Sequence, residues 1–381
     1  MEFNYSEEQL ALQDTLQRFM ARDYDFDKRR GFSASPLGYS AEAWRQYAEL
    51  GLLALPFPKE FDGLGGNAVD IMLVMEQFGQ GLVLEPYLST VVLCGSLMRD
   101  AGSAAQKSRF LPQIVQGKST LALAAYEAAG RYDLSYVECS AQESGGNWIL
   151  SGRKTVVLDG ASADHFLVSA RSGGEPGDRD GISLLLVPRD AKGLSVVPYA
   201  TQWGSRAADL LLEKVSAGSD ALIGSAGDAL PLIERAVDRA IAALCAEASG
   251  IINALNQATL NYLKTRKQFG VAIGTFQALK HKMADMLIAA EQARSMAIIA
   301  AVHADSEDAA DRRRALSAAK AYVGRAGRLV GQHAVQLHGG MGVVDELIVS
   351  HYFKRLTMID LTFGDADHHL ASFSDTLRPG A

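Results

Sequence analysis

From Val237 onward the apolar residues Val237, Ile241, Leu244, Cys245, Ala248, Ile252 and Leu255 fall at offsets of 4, 7, 8, 11, 15 and 18. Only a helix lines such a series along one face, because its side chains repeat about every 3.6 residues. A stripe this long must be covered by other elements, and the sequence supplies them. A second helical segment runs from Phe276 past Ile299, and a third, "ALSAAKAYVGRAGRLVGQHAVQLHGG", follows the charged connection "HADSEDAADRRR". Residues 226–381 are therefore expected to be long helices packed on one another.

The period is different upstream. Between 119 and 225 the runs "NWILSGRKTVVL", "DHFLVSAR", "GISLLLVP" and "DLLLEKV" are short and rich in Val, Leu and Ile, and "SGG", "GEPGDRDG" and "DAKG" separate them. Short branched-aliphatic runs between breakers read as strands of a small sandwich or barrel. Residues 1–118 return to helical spacing. "SEEQLALQDTLQRFM" carries Leu10, Leu12, Leu16, Phe19 and Met20 with Ser6 as cap, "SAEAWRQYAELGLLAL" reads as a helix, and "DGLGGN" turns the chain before "AVDIMLVMEQFGQ". Helices, then strands, then helices imply separate domains rather than an alternating α/β fold. A chain of 381 residues also exceeds what a single core usually organises.

A net charge of −7 argues against a nucleic-acid partner, since phosphate backbones reward clustered Lys and Arg. No run approaches the ~20 uninterrupted apolar residues of a membrane span. "MEFNYSEEQL" fits neither a secretory signal nor an Arg-rich transit peptide, so the cytoplasm is the expected location. Cys94, Cys139 and Cys245 lack CxxC spacing and read as reduced, buried thiols.

Two stretches carry chemistry. In "YLKTRKQFGVAIGTFQALKHKMADM", Arg266 precedes a glycine break at Gly270 and Gln277 opens the next helix. Arginine offers phosphate a planar fork of donors, and a glutamine amide matches a heterocycle edge. In "QLHGGMGVVDE" the glycines let backbone amides approach an anion closely. Glycine-marked helix ends without ligand duties account for either stretch taken alone. No glycine cluster follows a strand and opens a helix with GxGxxG spacing, which argues against a Rossmann site.

Together and in this order the stretches resemble the acyl-CoA dehydrogenase family, over essentially the whole chain. "YLKTRKQFG", "HYFKRLTMID" and "FGDADHH" look most like the small subunit of pimeloyl-CoA dehydrogenase and related two-subunit enzymes. The resemblance implies an acyl-CoA dehydrogenase-like fold: an N-terminal α-helical domain (1–118), a middle β domain (119–225) and a C-terminal four-helix-bundle domain (226–381). It implies FAD, an acyl-CoA substrate, a tetramer or dimer of dimers made with copies or a homologous partner subunit, and an electron-transferring flavoprotein as acceptor. Carried over by residue, Arg266 and Gln268 would meet the FAD pyrophosphate across a subunit interface. Phe269 and Gln277 would line the same cofactor, Gln336, Gly339 and Gly340 its adenine–phosphate portion, and His368 and Asp367 would also contact FAD.

The resemblance breaks where its catalytic glutamate belongs, directly after the aromatic residue: here Phe363 is followed by Gly364 and Asp365. The second family position for a base, twenty-six residues before Arg266, is Ala240. Glu247 shares that face of the helix but lies about two turns away, roughly 10 Å. Asp365 is the surviving candidate base, one residue out of place, and the same stretch reads equally as a helix start with acids in its first turn. Neighbouring histidines without supporting ligands do not form a metal site. On the flavin side, the family's loop close to TEPxxGSD becomes "YEAAGRYD", and its Trp-Ile-Thr becomes Val156-Val157-Leu158, an apolar triplet that reads more readily as core. Three readings follow: a self-sufficient enzyme using Asp365, a partner subunit that lends cofactor contacts while its own site is silent, and a non-catalytic scaffold.

Overall fold

In the computed structural model, which describes residues 5–377, the helical and strand-rich stretches fall where the periodicity puts them. The first helices are α1 (Glu7–Asp23), α2 (Phe26–Ala34), α3 (Ala41–Glu49), α4 (Ala68–Gly81), α5 (Ser96–Ala101) and α6 (Ala104–Val115), with a π-helical stretch at Leu88–Gly95. Strands follow: β1 (Leu121–Ala124), β2 (Ser140–Ser144), β3 (Asn147–Leu158), β4 (His165–Arg171), β5 (Ile182–Pro188), β6 (Leu194–Ala200), β7 (Arg206–Gly218) and β8 (Leu222–Ile223). The remainder is α7 (Leu230–Thr265), the hairpin β9 (Lys267–Gln268) and β10 (Val271–Ala272), α8 (Gln277–His303), α9 (Ala309–His338), α10 (Ile348–Leu361) and α11 (Ala366–Asp375). No described helix is long and apolar enough to cross a membrane.

Two compact units divide the chain. One comprises Met1–Gly31, Ala68–Val83 and Ile241–Ala381; the other comprises Phe32–Asn67 and Leu84–Ala240. The second contains the eight-stranded sheet, ordered β6-β7-β3-β2-β4-β5-β8, with β1 parallel to β4. The four runs read from sequence are β3, β4, β5 and the core of β7. The short β1, β2, β6 and β8 escape the reading; β2 carries no apolar run, and β6 is mostly exposed although it holds Val196 and Val197. Beneath β3, Lys154 donates to Glu127 of the "YEAAGRYD" loop at 2.6 Å and to Ser169 Oγ at 3.0 Å. Glu127 also accepts the Glu138 and Cys139 amides, so its charge is both paired and hydrogen-bonded. Between Lys154 and Val157 the β3–β7 register slips in a bulge. That bulge puts Val156 at φ 52° and leaves it 54% exposed, so only Val157 of the apolar triplet is core.

The first unit is organised on α7. Every residue of the stripe from Val237 to Leu255 is buried. Gly79 of α4 and Gly250 of α7 lie against backbone of the opposite helix, Glu247 and Glu76 respectively, so the helices touch main chain to main chain. On α1, Leu16, Phe19 and Met20 are buried whereas Leu10 is 51% exposed. Ser6 and Gln9 form a reciprocal capping box. Ser6→Ala should therefore cost about 1 kcal/mol, read as a shift in urea midpoint. One helix expectation is corrected: α3 stops at Glu49 because Gly51 takes φ 77°, and Leu52–Leu55 is a buried turn. The three cysteines are free and buried.

Candidate active site

The C-terminal end of α7 hands the chain to a two-residue hairpin. Val271 pairs with Gln268 and Ala272 with Lys267, leaving Phe269 and Gly270 as the turn at φ 53° and 81°. Positive φ at both central positions is what a tight hairpin of this hand demands, and glycine meets it easily. Phenylalanine does not, yet Phe269 occupies its place and is 91% exposed. Its ring meets Phe276 edge-on at 6.1 Å, just before Gln277 opens α8. Arg266, Lys267 and Gln268 are also exposed. A guanidinium, two amides and two aromatic rings thus share one short surface segment.

The second glycine motif is fastened to the first. Tyr262, one turn before Arg266, stacks on His338 with centroids 4.4 Å apart and planes at 26°. Burial lowers the His338 pKa, against the opposing effect of the hydrogen bond that its Nδ1 donates to the Ala334 carbonyl. Gly339 caps α9 at φ 61°, with Gln336 exposed beside it. A Cβ at Gly339 or Gly340 would meet nothing within 4 Å, so the backbone borders open space. Seven of the ten candidate residues, Arg266, Gln268, Phe269, Gln277, Gln336, Gly339 and Gly340, thus belong to two surface segments joined by one ring stack. Tyr262 and His338, which make the join, were missed from sequence; the aromatic one turn before the arginine is the readable trace.

The remaining three, Asp365, Asp367 and His368, sit elsewhere. Eighteen helical residues separate Lys320, which touches their turn, from His338, about 27 Å along α9. Phe363 takes φ 58°, Gly364 φ 105°, and Asp365 becomes the N-cap of α11, its Oδ1 accepting from the His368 amide at 2.8 Å. The helix-start reading of "GDADHH" therefore describes the local structure. Phe363 O accepts from His369 Nε2 at 2.9 Å, and Gly364 O from Lys320 Nζ at 2.6 Å. His369 is buried and held neutral, its pKa pushed down to about 3 chiefly by burial, with the Lys320 charge adding to the effect. The amides of Gly364 and Asp365 find no acceptor among the described residues. A Cβ at Gly364 would lie 2.5 Å from His368 Cδ2 and 2.8 Å from His369 Nε2, so the glycine is sterically required.

Glu247, the other acid weighed as a base, is already engaged. Glu247 is buried in a two-pronged pair with Arg355 of α10, at 2.5 and 2.6 Å. Ala240 is wholly buried.

Family models match the chain in three consecutive pieces: acyl-CoA dehydrogenase, N-terminal domain at residues 6–118, middle domain at 122–215 and C-terminal domain at 230–376. Acyl-CoA dehydrogenase FadE12 of Mycobacterium tuberculosis is 30% identical over 352 residues, covering 90% of this chain and 89% of its own. A glycine-to-alanine variant of the Tcur3481–Tcur3483 steroid ACAD superposes with a TM-score of 0.87 at 30% identity, covering 97% of this chain and 98% of the other. PigA with FAD and proline superposes with a TM-score of 0.90 at 25% identity, over 99% of each chain.

Proposed function

The chain belongs to the acyl-CoA dehydrogenase family, and from that premise we propose that it serves FAD-dependent α,β-dehydrogenation of an acyl-CoA thioester as one subunit of an oligomer. The observation that carries the reading is the exposed set Arg266, Gln268, Phe269, Gln277, Gln336, Gly339 and Gly340, tied together by Tyr262 and His338. A doubly anionic pyrophosphate calls for an arginine and closely approachable backbone, and the open space at Gly339 and Gly340 admits it. Exposed Phe269 and Val271 on the same segment call for cover, which a neighbouring subunit's cofactor provides. PigA, of the same fold, holds FAD.

FAD held in the assembly would supply the acceptor for the hydride leaving the β-carbon. This chain's own contribution at the α-carbon is narrower. The Gly364 and Asp365 amides are positioned to donate to a thioester oxygen as charge develops on it. The carboxylate oxygen of Asp365 not engaged by the helix cap is the atom to receive the α-proton. Asp367 and His368, exposed at the start of α11, face solvent where a second flavin contact is available.

A partner-subunit role is favoured by a specific set of contacts: Gly364 admits no side chain, Asp365 is tied to a cap and Glu247 to Arg355. In that reading this chain lends phosphate contacts to a homologue whose own carboxylate does the chemistry. The acyl group is proposed to be bulky or dicarboxylic, pimeloyl-like, and the acceptor an electron-transferring flavoprotein.

Purification tests both readings. A chain that is yellow alone and bleaches anaerobically with an acyl-CoA is self-sufficient. One that gains flavin only when co-expressed with a homologue is a partner subunit. If neither preparation binds flavin, the proposal fails and a scaffold remains. Arg266→Met should lower flavin retention by about tenfold or more with melting unchanged, since a charge-assisted phosphate contact is lost from the surface.

A further inference from the structure

We infer that Lys320 is the positioning residue of the Phe363–Asp365 turn, its buried ammonium holding the Gly364 carbonyl inward and so keeping the neighbouring amides turned outward. The inference rests on the dehydrogenase reading above and adds to it a residue that touches neither cofactor nor substrate.

Lys320 lies on the buried stripe of α9 with no solvent exposure. Its Nζ donates to two main-chain oxygens, Asp360 O at 2.9 Å and Gly364 O at 2.6 Å. The first belongs to the last turn of α10, where carbonyls lack helical partners and a cation is favoured by the helix dipole. The second belongs to the turn itself. In a trans peptide the C=O and N–H point in opposite directions. Holding Gly364 O toward Lys320 therefore aims the Asp365 N–H away from the interior. His369 does the same for the peptide before it, gripping Phe363 O and aiming the Gly364 N–H outward. Two left-handed residues in succession are a costly conformation, and these two grips hold them in place.

The grip is titratable. Burial pushes the Lys320 pKa from 10.5 down to about 8, against the opposing pull of Cys245, Asp360 and Asp365. Those are the groups facing it from α7, α10 and the cap of α11, together with neutral His369. Asp360 itself is engaged by Arg328 Nη2 at 2.8 Å and by the Ala366 amide at 3.1 Å, so it is not a free counter-ion. Above about pH 8 the ammonium becomes an amine, and a charge-assisted bond to Gly364 O becomes an ordinary one. The sign separates this from general unfolding. Between pH 8 and 10.5 the native state binds fewer protons at Lys320 than the unfolded chain does, so its contribution to global stability rises with pH. A turn that loosens in that same window loosens locally.

The experiment is hydrogen exchange on the full chain, with its partner if one is needed to load flavin, at pH 7, at pH 9.5 and at steps between them. Rates are corrected for intrinsic exchange. The amides of Thr362, Ala366, His368 and His369, which are hydrogen-bonded around the turn, report on it. In the native chain their protection should fall about tenfold or more, with a midpoint near 8, while α7 and β3 stay unchanged. Lys320→Met should show the loosened level at both pH values. Protection that is flat with pH, or equal in K320M, overturns the inference; if that variant does not fold, the native titration decides alone. Where the assembly is active, kcat should fall with the same midpoint at constant flavin absorbance, and a flat kcat beside titrating exchange would overturn the positioning role. Exchange needs no turnover, so a titrating turn in a chain that binds no flavin, alone or with a homologue, defeats the dehydrogenase reading and spares the grip.

Discussion

Glu247→Ala is expected to cost about 3–5 kcal/mol of stability, because it leaves the Arg355 guanidinium buried without its counter-charge. Both oxygens of Glu247 are engaged, and both side chains are nearly sealed from solvent, 4% and 10% exposed. Water cannot replace what is removed. The same residue backs onto Gly79, so the carboxylate stands where α4, α7 and α10 meet and little can relax around it. Equilibrium urea denaturation of the single variants and of Glu247→Leu/Arg355→Leu measures the effect. The double variant should recover most of the loss, since an apolar pair of similar volume avoids the desolvation that the ion pair must offset. A single-variant loss below about 1 kcal/mol, the range of exposed pairs, would show that the two charges do not meet in a sealed site.

Gly364→Glu, which would put a carboxylate where the resemblance leads one to expect a base, is expected to lower stability and to add no dehydrogenase activity. Backbone strain alone should cost about 1–3 kcal/mol, because φ 105° suits glycine and few other residues. The new Cβ must in addition displace His368 and His369, and His369 is fixed by its bond to Phe363 O. Replacing both histidines with serine in the same chain should recover part of the loss. Melting temperature and anaerobic flavin bleaching are the readouts. A stable, fully active Gly364→Glu variant would mean that the turn adapts freely and that the fold does not enforce glycine there.

Much of the architecture was legible because burial repeats. The α7 stripe and the runs of β3, β4 and β5 show a period that water imposes on any chain, and Ser6 announces its cap through local chemistry. The segments 266–277 and 336–340, proposed here to meet a cofactor, stood out for another reason: phosphate chemistry uses few residue types, and glycine marks where backbone can come close. Readings failed where burial breaks its period. Leu52–Leu55 is buried without being helical, Leu10 is apolar without being buried, and Val156 is turned out by a bulge that only the β7 partner strand reveals.

What the chain's order of residues determined by itself was the succession of helices, strands and helices and the donor chemistry of the exposed segments 266–277 and 336–340, since both follow from side-chain periodicity and residue type within short windows. What the tertiary structure alone decided was which charges are spoken for. Glu247 and Arg355 are 108 residues apart, and Lys320 and Gly364 are 44 apart. No local pattern records such meetings, because an ionisable group's role depends on its neighbours in space and on how far water has been excluded from them.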